Sequence, residues 1–316
     1  MTPLNAQVDT LQLGNLIASR KEVVAYLASK NRFFSEDEVM EQPTPLGLAI
    51  IANYYEKKND RITSIYVASC IKDFQTIITK IGLGKNGEKA ILIFQPTDNN
   101  GEWKDWFFTL HKAVVYVEKK DSILHLAIAD STPFENIKKF CMLLAEQALS
   151  DIPRIYYTQE ILWVSGMETP ICLQTDNWNC GTHAFRIARE IAKDSNFLGN
   201  IEIITSSNLS VANFSVQNLV YRIPTGFAKC ADADISQKRC KSYYGGPTLI
   251  ALQSHFERYP EKHSYIKKFT HKYINILKKE FLNSSQEELI ASIANVNAKN
   301  YPIERANYSP LYRLNV

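Results

Sequence analysis

Apolar positions along the chain change their period near residue 82 and again after about residue 195, dividing it into helical ends around a strand-rich middle. Over Asn15 to Ser29, Leu16, Ile17, Val23, Val24 and Leu27 recur at mixed intervals of three and four, which predicts a helix. Ser35-Glu36-Asp37-Glu38 has the form of a capping box, Ser with Glu three residues later. Pro43 and Pro45 interrupt. Helices are then predicted over Leu46 to Tyr55 and Ile71 to Ile81, the second with an earlier start in the β-branched stretch Ile62 to Val67 as an alternative.

From Gly82 the pattern is that of strands. Ala90 to Phe94 is short and apolar, and Pro96 and Asp98-Asn99-Asn100-Gly101 follow it. Two apolar runs, Ala113 to Val117 and Ile123 to Ala129, flank the polar tip Glu118 to Ser122, a hairpin signature. Phe134 to Leu149 reads as helix and Arg154 to Val164 as mixed. Gly181 to Ala192 reads as helix, with Ala184, Ile187, Ala188 and Ile191 on one stripe. Ile201 to Thr205 is β-like, and a polar loop and a basic helical region follow. The expected architecture is α+β: an N-terminal helical region over 1–81, a core with a central mixed sheet over 82–195, and a basic helical region over 196–316 that extends the same domain.

The 316 residues suffice for a substantial core, and 45% hydrophobic and 22% charged residues are ordinary for a soluble globular protein. No apolar run approaches the ~18 residues of a membrane span. Met1 to Gln7 has neither a basic nor an apolar segment, so no Sec-type signal is expected. The cysteines at 70, 141, 172, 180, 230 and 240 form no CxxC pair, which argues against a zinc site or a disulfide scaffold and favours a reducing compartment. Neither a metal nor a nucleic-acid partner is expected. Cys70 and Cys141 lie in helical patterns and fit a role as small buried apolar groups. Net charge is +3, but Ala228 to Lys279 holds eleven Lys/Arg against four acids. Such a concentration attracts phosphate-rich ligands or acidic surfaces, or is a solvated helix face.

Chemistry concentrates in Cys172-Leu173-Gln174-Thr175-Asp176-Asn177-Trp178-Asn179-Cys180-Gly181, where a loop turns into a helix. The unpaired N–H groups and partial positive charge of a helix N-terminus favour thiolate over thiol at Cys180. Upstream, pairing the hairpin about Lys120/Asp121 sets residue i opposite 241 − i, and His111 opposite Asp130. Cross-strand Cβ atoms lie ~5 Å apart, so the carboxylate would orient an imidazole that activates the thiol. The competing reading is an exposed histidine and an aspartate that opens the turn Asp130-Ser131-Thr132-Pro133. Gln174, through its side-chain amide, and the backbone N–H of Cys180 are candidate donors to the oxyanion formed in attack on a carbonyl; a loop glutamine without a role is the alternative. Trp178 either covers the nucleophile or anchors the loop. Gly181 permits close approach of substrate to the backbone. His125 reads as a core residue, and His183 lies on the side of its helix away from the apolar stripe. His255, His263 and His271 recur every eight residues, near enough to helical period to share a face.

His111, Asp130 nineteen residues on, and Gln174-x5-Cys180-Gly181 before a helix resemble the clan of adenovirus-protease-like and ubiquitin-like-protein proteases, and more closely the bacterial YopJ family of effector acetyltransferases. The His-to-acid spacing is usual in that family, Lys112 stands where the proteases commonly have Trp, and 136 residues follow Cys180 where those proteases end soon after the cysteine helix. The resemblance implies a papain-like CE-clan core with a nucleophile helix. It also implies a Cys180-His111-Asp130 triad with Gln174, acetyl-CoA as acyl donor, and inositol hexakisphosphate (IP6) as a possible activator. Lys229, Lys238, Arg239 and Lys241 are the candidate polyphosphate or CoA contacts, and Lys238 is similar in place to the family's autoacetylated lysine. Tyr221 to Lys229 resembles the segment that follows the catalytic residues, and Glu38 to Tyr55 resembles the family's N-terminal helices. Such an effector passes from the bacterium by type III or IV secretion into the host cytoplasm and acetylates Ser, Thr or Lys of host target proteins. The alternatives are a deubiquitinase or ubiquitin-like-protein protease using the same thiolate, whose partner is ubiquitin or a relative, and a non-catalytic binding protein.

Overall fold

The computed structural model describes residues 13, 16–29, 40–59, 63–68, 71–94, 112–121, 123–131, 158–163, 173–174, 176, 178–198, 206–211, 214–219, 225–231, 246–261, 263–283 and 285. Its centre is a seven-stranded mixed sheet of β3 (Ile65–Ala68), β4 (Lys89–Phe94), β5 (Ala113–Lys120), β6 (Ile123–Ala129), β7 (Thr158–Trp163), β9 (Phe214–Leu219) and β8 (Ser206–Val211), in that spatial order. β3/β4, β6/β7 and β7/β9 are parallel pairs, and β4/β5, β5/β6 and β8/β9 are antiparallel. Period-two alternation divides the strand residues between two apolar layers. Tyr66, Leu92, Phe94, Val115, Val117 and Leu126 pack with Phe74, Ile77, Ile78 and Ile81 of α3 (Ile71–Leu83). Val67, Ile91, Ile93, Val114, Tyr116 and Ala127 face a thicker layer built from α2 (Pro45–Lys58), α4 (Cys180–Lys193) and α7 (Ser264–Asn283). Among the described residues no helix is long and apolar enough to cross a membrane.

Residues of the N-terminal region enter this second layer. Ile17–Ala18 is β1, paired antiparallel with β2 (Gln42–Pro43), so the first helix, α1, runs only over Arg20–Ser29 and not from Asn15. Thr44 caps α2, its hydroxyl accepting from the Gly47 amide at 3.1 Å, with Pro45 in the first turn, where a missing N–H costs nothing. The β-branched stretch before residue 68 forms β3 instead of extending α3, because parallel pairing with β4 uses its backbone and both its faces are covered. The residues after 205 form the β8/β9 hairpin and not a polar loop; Leu209 faces Val216 across it and Val211 faces Phe214. The sheet thus takes strands from either side of the 82–195 segment. Ser35 to Glu38, Phe134 to Leu149, Ile201 to Thr205 and the cysteines at 70, 141, 172 and 240 lie outside the described residues.

The C-terminal half adds α5 (Thr225–Ala228), α6 (Gly246–Arg258) and α7. Arg186 of α4 donates to the Tyr265 hydroxyl at 3.0 Å, stands 4.5 Å over the Phe269 ring and pairs with Glu190, so a buried guanidinium fastens α4 to α7. His255 of α6 sits 3.1 Å from the Lys229 carbonyl and stacks edge-on to Tyr265. His263 turns the chain between α6 and α7 at φ 62, so His255 and His271 stand on separate helices and the three histidines share no face.

Two consequences are measurable. A Cβ on Gly47 would stand 2.3 Å from the Leu16 carbonyl oxygen, a backbone atom already accepting from Thr44, so Gly47→Ala is expected to destabilise by about 1–3 kcal/mol in urea unfolding. Burial pushes the His255 imidazole from the usual 6.5 down to about 4. Between those values the unfolded chain binds a proton the folded chain refuses, so stability falls as pH drops through this window. His255→Gln is expected to flatten that slope in unfolding midpoints measured from pH 7 to pH 4 (about the titration range of an ordinary and a buried imidazole).

Candidate active site

Cys180 is the first residue of α4, and the turn before it is built by one carboxylate. Asp176 Oδ1 accepts from the backbone amides of Trp178 at 3.0 Å and Asn179 at 2.8 Å, a side-chain-closed turn of the kind Asp favours. Asn179 occupies the N-cap position, yet its side chain makes no bond into the helix. Its Nδ2 donates to Asp176 Oδ2 at 2.7 Å and its Oδ1 accepts from Gln42 Nε2 at 2.8 Å. Asn179 thus gives the first turn of α4 no side-chain cap, and a helix N-terminus favours negative charge beside it. Cys180 is buried, with 7% of its surface exposed. It is a reduced thiol.

Three segments distant in sequence meet here. Lys112, at the head of β5, is buried, and its side-chain methylenes lie against Gly181, where an added Cβ would meet Lys112 Cδ at 3.5 Å and Leu48 at 3.8 Å. Asp130 follows β6 and is buried, and its neighbour Ser131 holds the cysteine loop twice. The Ser131 carbonyl accepts from the Gln174 amide at 2.8 Å and its hydroxyl donates to Gln174 Oε1 at 2.6 Å. Gln174 Nε2 donates to the Asp176 carbonyl at 2.9 Å and lies 3.1 Å from Oδ1, so its amide group is turned into the loop rather than toward an open oxyanion position. Trp178 is half-buried.

The β5/β6 register differs from the expected one. Val114 faces Ala129 and Lys120 faces Ile123, so partners sum to 243 and the turn centres on Asp121 and Ser122. Asp121 at φ 51 takes the left-handed conformation that this tighter turn needs and that Asp tolerates. The slip is by two residues. Unlike a slip by one, it leaves the paired residues of both strands on the faces that the expected register gave them. His111 lies outside the described residues, as do Lys238, Arg239 and Lys241.

The other histidines are placed by burial. His183 is fully buried in the first turn of α4, where every residue from Cys180 to Ala188 is buried, including the side away from the apolar stripe. His125 is half-buried and faces Glu118 across the hairpin. His263 Nδ1 lies 3.4 Å from Asp176 Oδ2. Along the outer face of α7, Lys267, Lys268, His271, Lys272 and Lys279 line a shallow groove of about 790 Å³ with Glu261 as its acid. Lys229 is half-buried at the end of α5. No cluster of His, Cys, Asp or Glu able to hold a metal occurs among the described residues. Sequence reasoning missed Asp176, Ser131 and His263. An Asp three residues before an N-cap Asn is a readable turn signal for the first; the others depend on long-range contacts.

The sequence matches no known family profile and no curated protein. Among solved structures, the chain is similar to AvrA with IP6 and CoA, at 13% identity over 82% of this chain and 97% of that one, with a TM-score of 0.48. It is similar to HopZ1a in complex with IP6, at 10% identity over 78% and 81%, TM-score 0.46. AvrA and HopZ1a are effectors of the YopJ family. A further likeness is to the Legionella pneumophila effector RavZ, at 12% identity over 83% and 93%, TM-score 0.31.

The two described cysteines should differ in reactivity. Cys180 keeps its 7% exposure, whereas Cys230 is fully buried with its sulfur 3.4 Å from the Gly226 carbonyl. Under native conditions iodoacetamide is expected to modify Cys180 at least about tenfold faster than Cys230, which must await local opening. Peptide mapping of a time course reads the ratio.

Proposed function

We propose that the protein is an acyltransferase that carries an acetyl group on Cys180 from acetyl-CoA to a hydroxyl or amine of another protein. The observation that carries the proposal is the meeting of three segments at the head of α4. Lys112, next to His111, packs on Gly181; Ser131, next to Asp130, is bonded to Gln174; and Cys180 itself starts the helix.

In the mechanism, His111 takes the thiol proton, and the Cys180 sulfur attacks the thioester carbonyl of acetyl-CoA. The carbon–sulfur bond to CoA breaks, and the imidazolium returns its proton to the departing CoA thiolate. The acceptor then attacks the acetyl-cysteine, His111 removing its proton, and the thiol is regenerated. Asp130 orients the imidazole and balances its charge. The backbone N–H groups at the start of α4 are the oxyanion donors that best fit this geometry. Gln174, whose amide serves the loop, supports them by holding the turn.

The groove on α7 suits a polyphosphate such as IP6. Four lysines and one histidine there face a single glutamate, and clustered cations are the natural partners of clustered phosphates. Lys229, Lys238, Arg239 and Lys241 remain the candidates for phosphate contacts from the preceding segment. The setting such an enzyme implies is the cytoplasm of a host cell that receives it as a bacterial effector, with host proteins as acceptors.

The second reading, a ubiquitin-like-protein protease, shares the thiol and the helix. One experiment separates them. Labelled acetyl-CoA, with IP6 and host lysate present, is expected to leave one acetyl group on Cys180 and label on acceptor proteins; His111→Ala should slow this by about 10²–10⁴-fold and Cys180→Ala should abolish it. Labelling of Cys180 by an electrophilic ubiquitin or SUMO probe, without acetylation, selects the protease instead.

A further inference from the structure

The carboxylate of Asp176 has no part in the chemistry above, and it meets donors from several segments of the chain. It is 4% exposed. Its Oδ1 holds the amides of Trp178 and Asn179 and receives Gln174 Nε2; its Oδ2 holds the Asn179 side chain and faces His263. A carboxyl group taken out of water needs hydrogen-bond partners, and here they form the turn that ends at Cys180.

His263 comes from outside the loop. It stands at the head of α7 in the left-handed conformation, its carbonyl accepting from the Lys267 amide at 2.8 Å. One ring nitrogen is thereby aimed at the Cys180 loop while the backbone starts the helix that lines the basic groove. A second tie runs alongside: the buried hydroxyls of Thr182 in α4 and Thr270 in α7 lie 2.9 Å apart. Gln42 of β2 closes the arrangement on Asn179.

We propose that Asp176 is the positioning residue of the Cys180 loop and that His263 holds it from α7, so that the docking of α7 sets the geometry of the nucleophile. This rests on the reading of Cys180 as nucleophile, but its structural half does not depend on the reaction. Removing the carboxylate takes the acceptor from two backbone amides and one bond from each of the Asn179 and Gln174 side chains at once. Removing the imidazole releases only the α7 side. The two changes act on one turn and are expected to be non-additive.

The test has two readouts in the full-length protein. Amide exchange of the segment 174–183, followed by mass spectrometry, is expected to quicken by at least about tenfold in Asp176→Ala and by a smaller factor in His263→Ala, with the double variant no faster than Asp176→Ala alone. Asp176→Asn keeps an acceptor for the two backbone amides and is expected to behave as His263→Ala does; it also serves if the alanine variant fails to fold. His263→Asn, which supplies an amide donor and tolerates positive φ, is expected to restore the wild-type rate. Unchanged exchange in 174–183 on loss of His263, or simple addition of the two effects, overturns the proposal. Acetyl transfer then separates the two layers. A fall in kcat with KM for acetyl-CoA unchanged in the same variants supports the positioning role. Normal kcat in them, with the wild type active, refutes it and leaves the acyltransferase reading intact. An inactive wild type removes that reading and leaves the exchange result to decide the structural claim.

Discussion

Everything near Cys180 follows from the burial of α4. From Cys180 to Ala188 every residue of this helix is buried, including Gly181, Thr182 and His183 of its first turn. The turn that leads into a helix in that position is buried with it, and its polar groups need protein partners. The chain supplies them with polar side chains drawn from four places: Gln42 before α2, Ser131 after β6, Asp176 in the loop itself and His263 before α7. Because Gln174, Asp176, Asn179 and Ser131 are buried, each of these bonds carries more weight than on a surface, and leaving any of them unmatched costs about 1–3 kcal/mol.

The same burial explains why the sheet extends as it does. α4 lies on one face of β4 and β5, and Phe185, Ala188 and Ile191 fill the layer with Tyr116, Ile91 and Ile93. The β3 edge, α2 and α7 close around its other sides, with Phe185 against both Tyr55 and Tyr273. Glu56 at the end of α2 accepts from the Ile65 amide at 2.8 Å and so ties that helix to the sheet margin. Residues before 82 and after 195 are thus part of the same packing unit as the strands between them. The end of the sheet bearing Lys112 and Asp130 is held against α4 by apolar packing, and only the last contacts are polar.

What could be read in the sequence was whatever repeats locally. The α4 stripe of Ala184, Ile187, Ala188 and Ile191, the apolar runs of β4 to β6 and the loop-to-helix change at Cys180 are patterns of neighbours, and each corresponds to an observed element. The hairpin register was not local in that sense: a five-residue polar tip allows several centres, and the observed one goes with Asp121 in the left-handed region. β8 and β9 carry only a thin alternation among Ser and Asn, too weak to separate from a loop without the pairing that makes it a strand. The bond from Gln42 to Asn179 spans 137 positions, and nothing near either residue signals the other. Function-bearing loops draw on contacts of this kind, which is why residues such as His263 escape a reading by motif.

α7 shows how one helix can serve three ends. Its inner face, Ile266, Tyr273, Ile274 and Leu277, is core. Its flank carries Thr270 toward α4 and begins at His263 toward Asp176. Its outer face gathers Lys267, Lys268, His271 and Lys272, with Lys268 bonded to the Tyr259 hydroxyl at 2.6 Å and Lys272 lying over the Tyr55 ring at 5.8 Å. Cations at i and i+4 on such a face repel by about 0.2–0.5 kcal/mol per pair, a modest cost borne by the well-packed inner face. An anion in the groove would turn that repulsion into attraction along the same helix whose first residue follows His263. The charges on the outside of α7 and the contacts toward the turn before Cys180 therefore belong to one helix and its first turn.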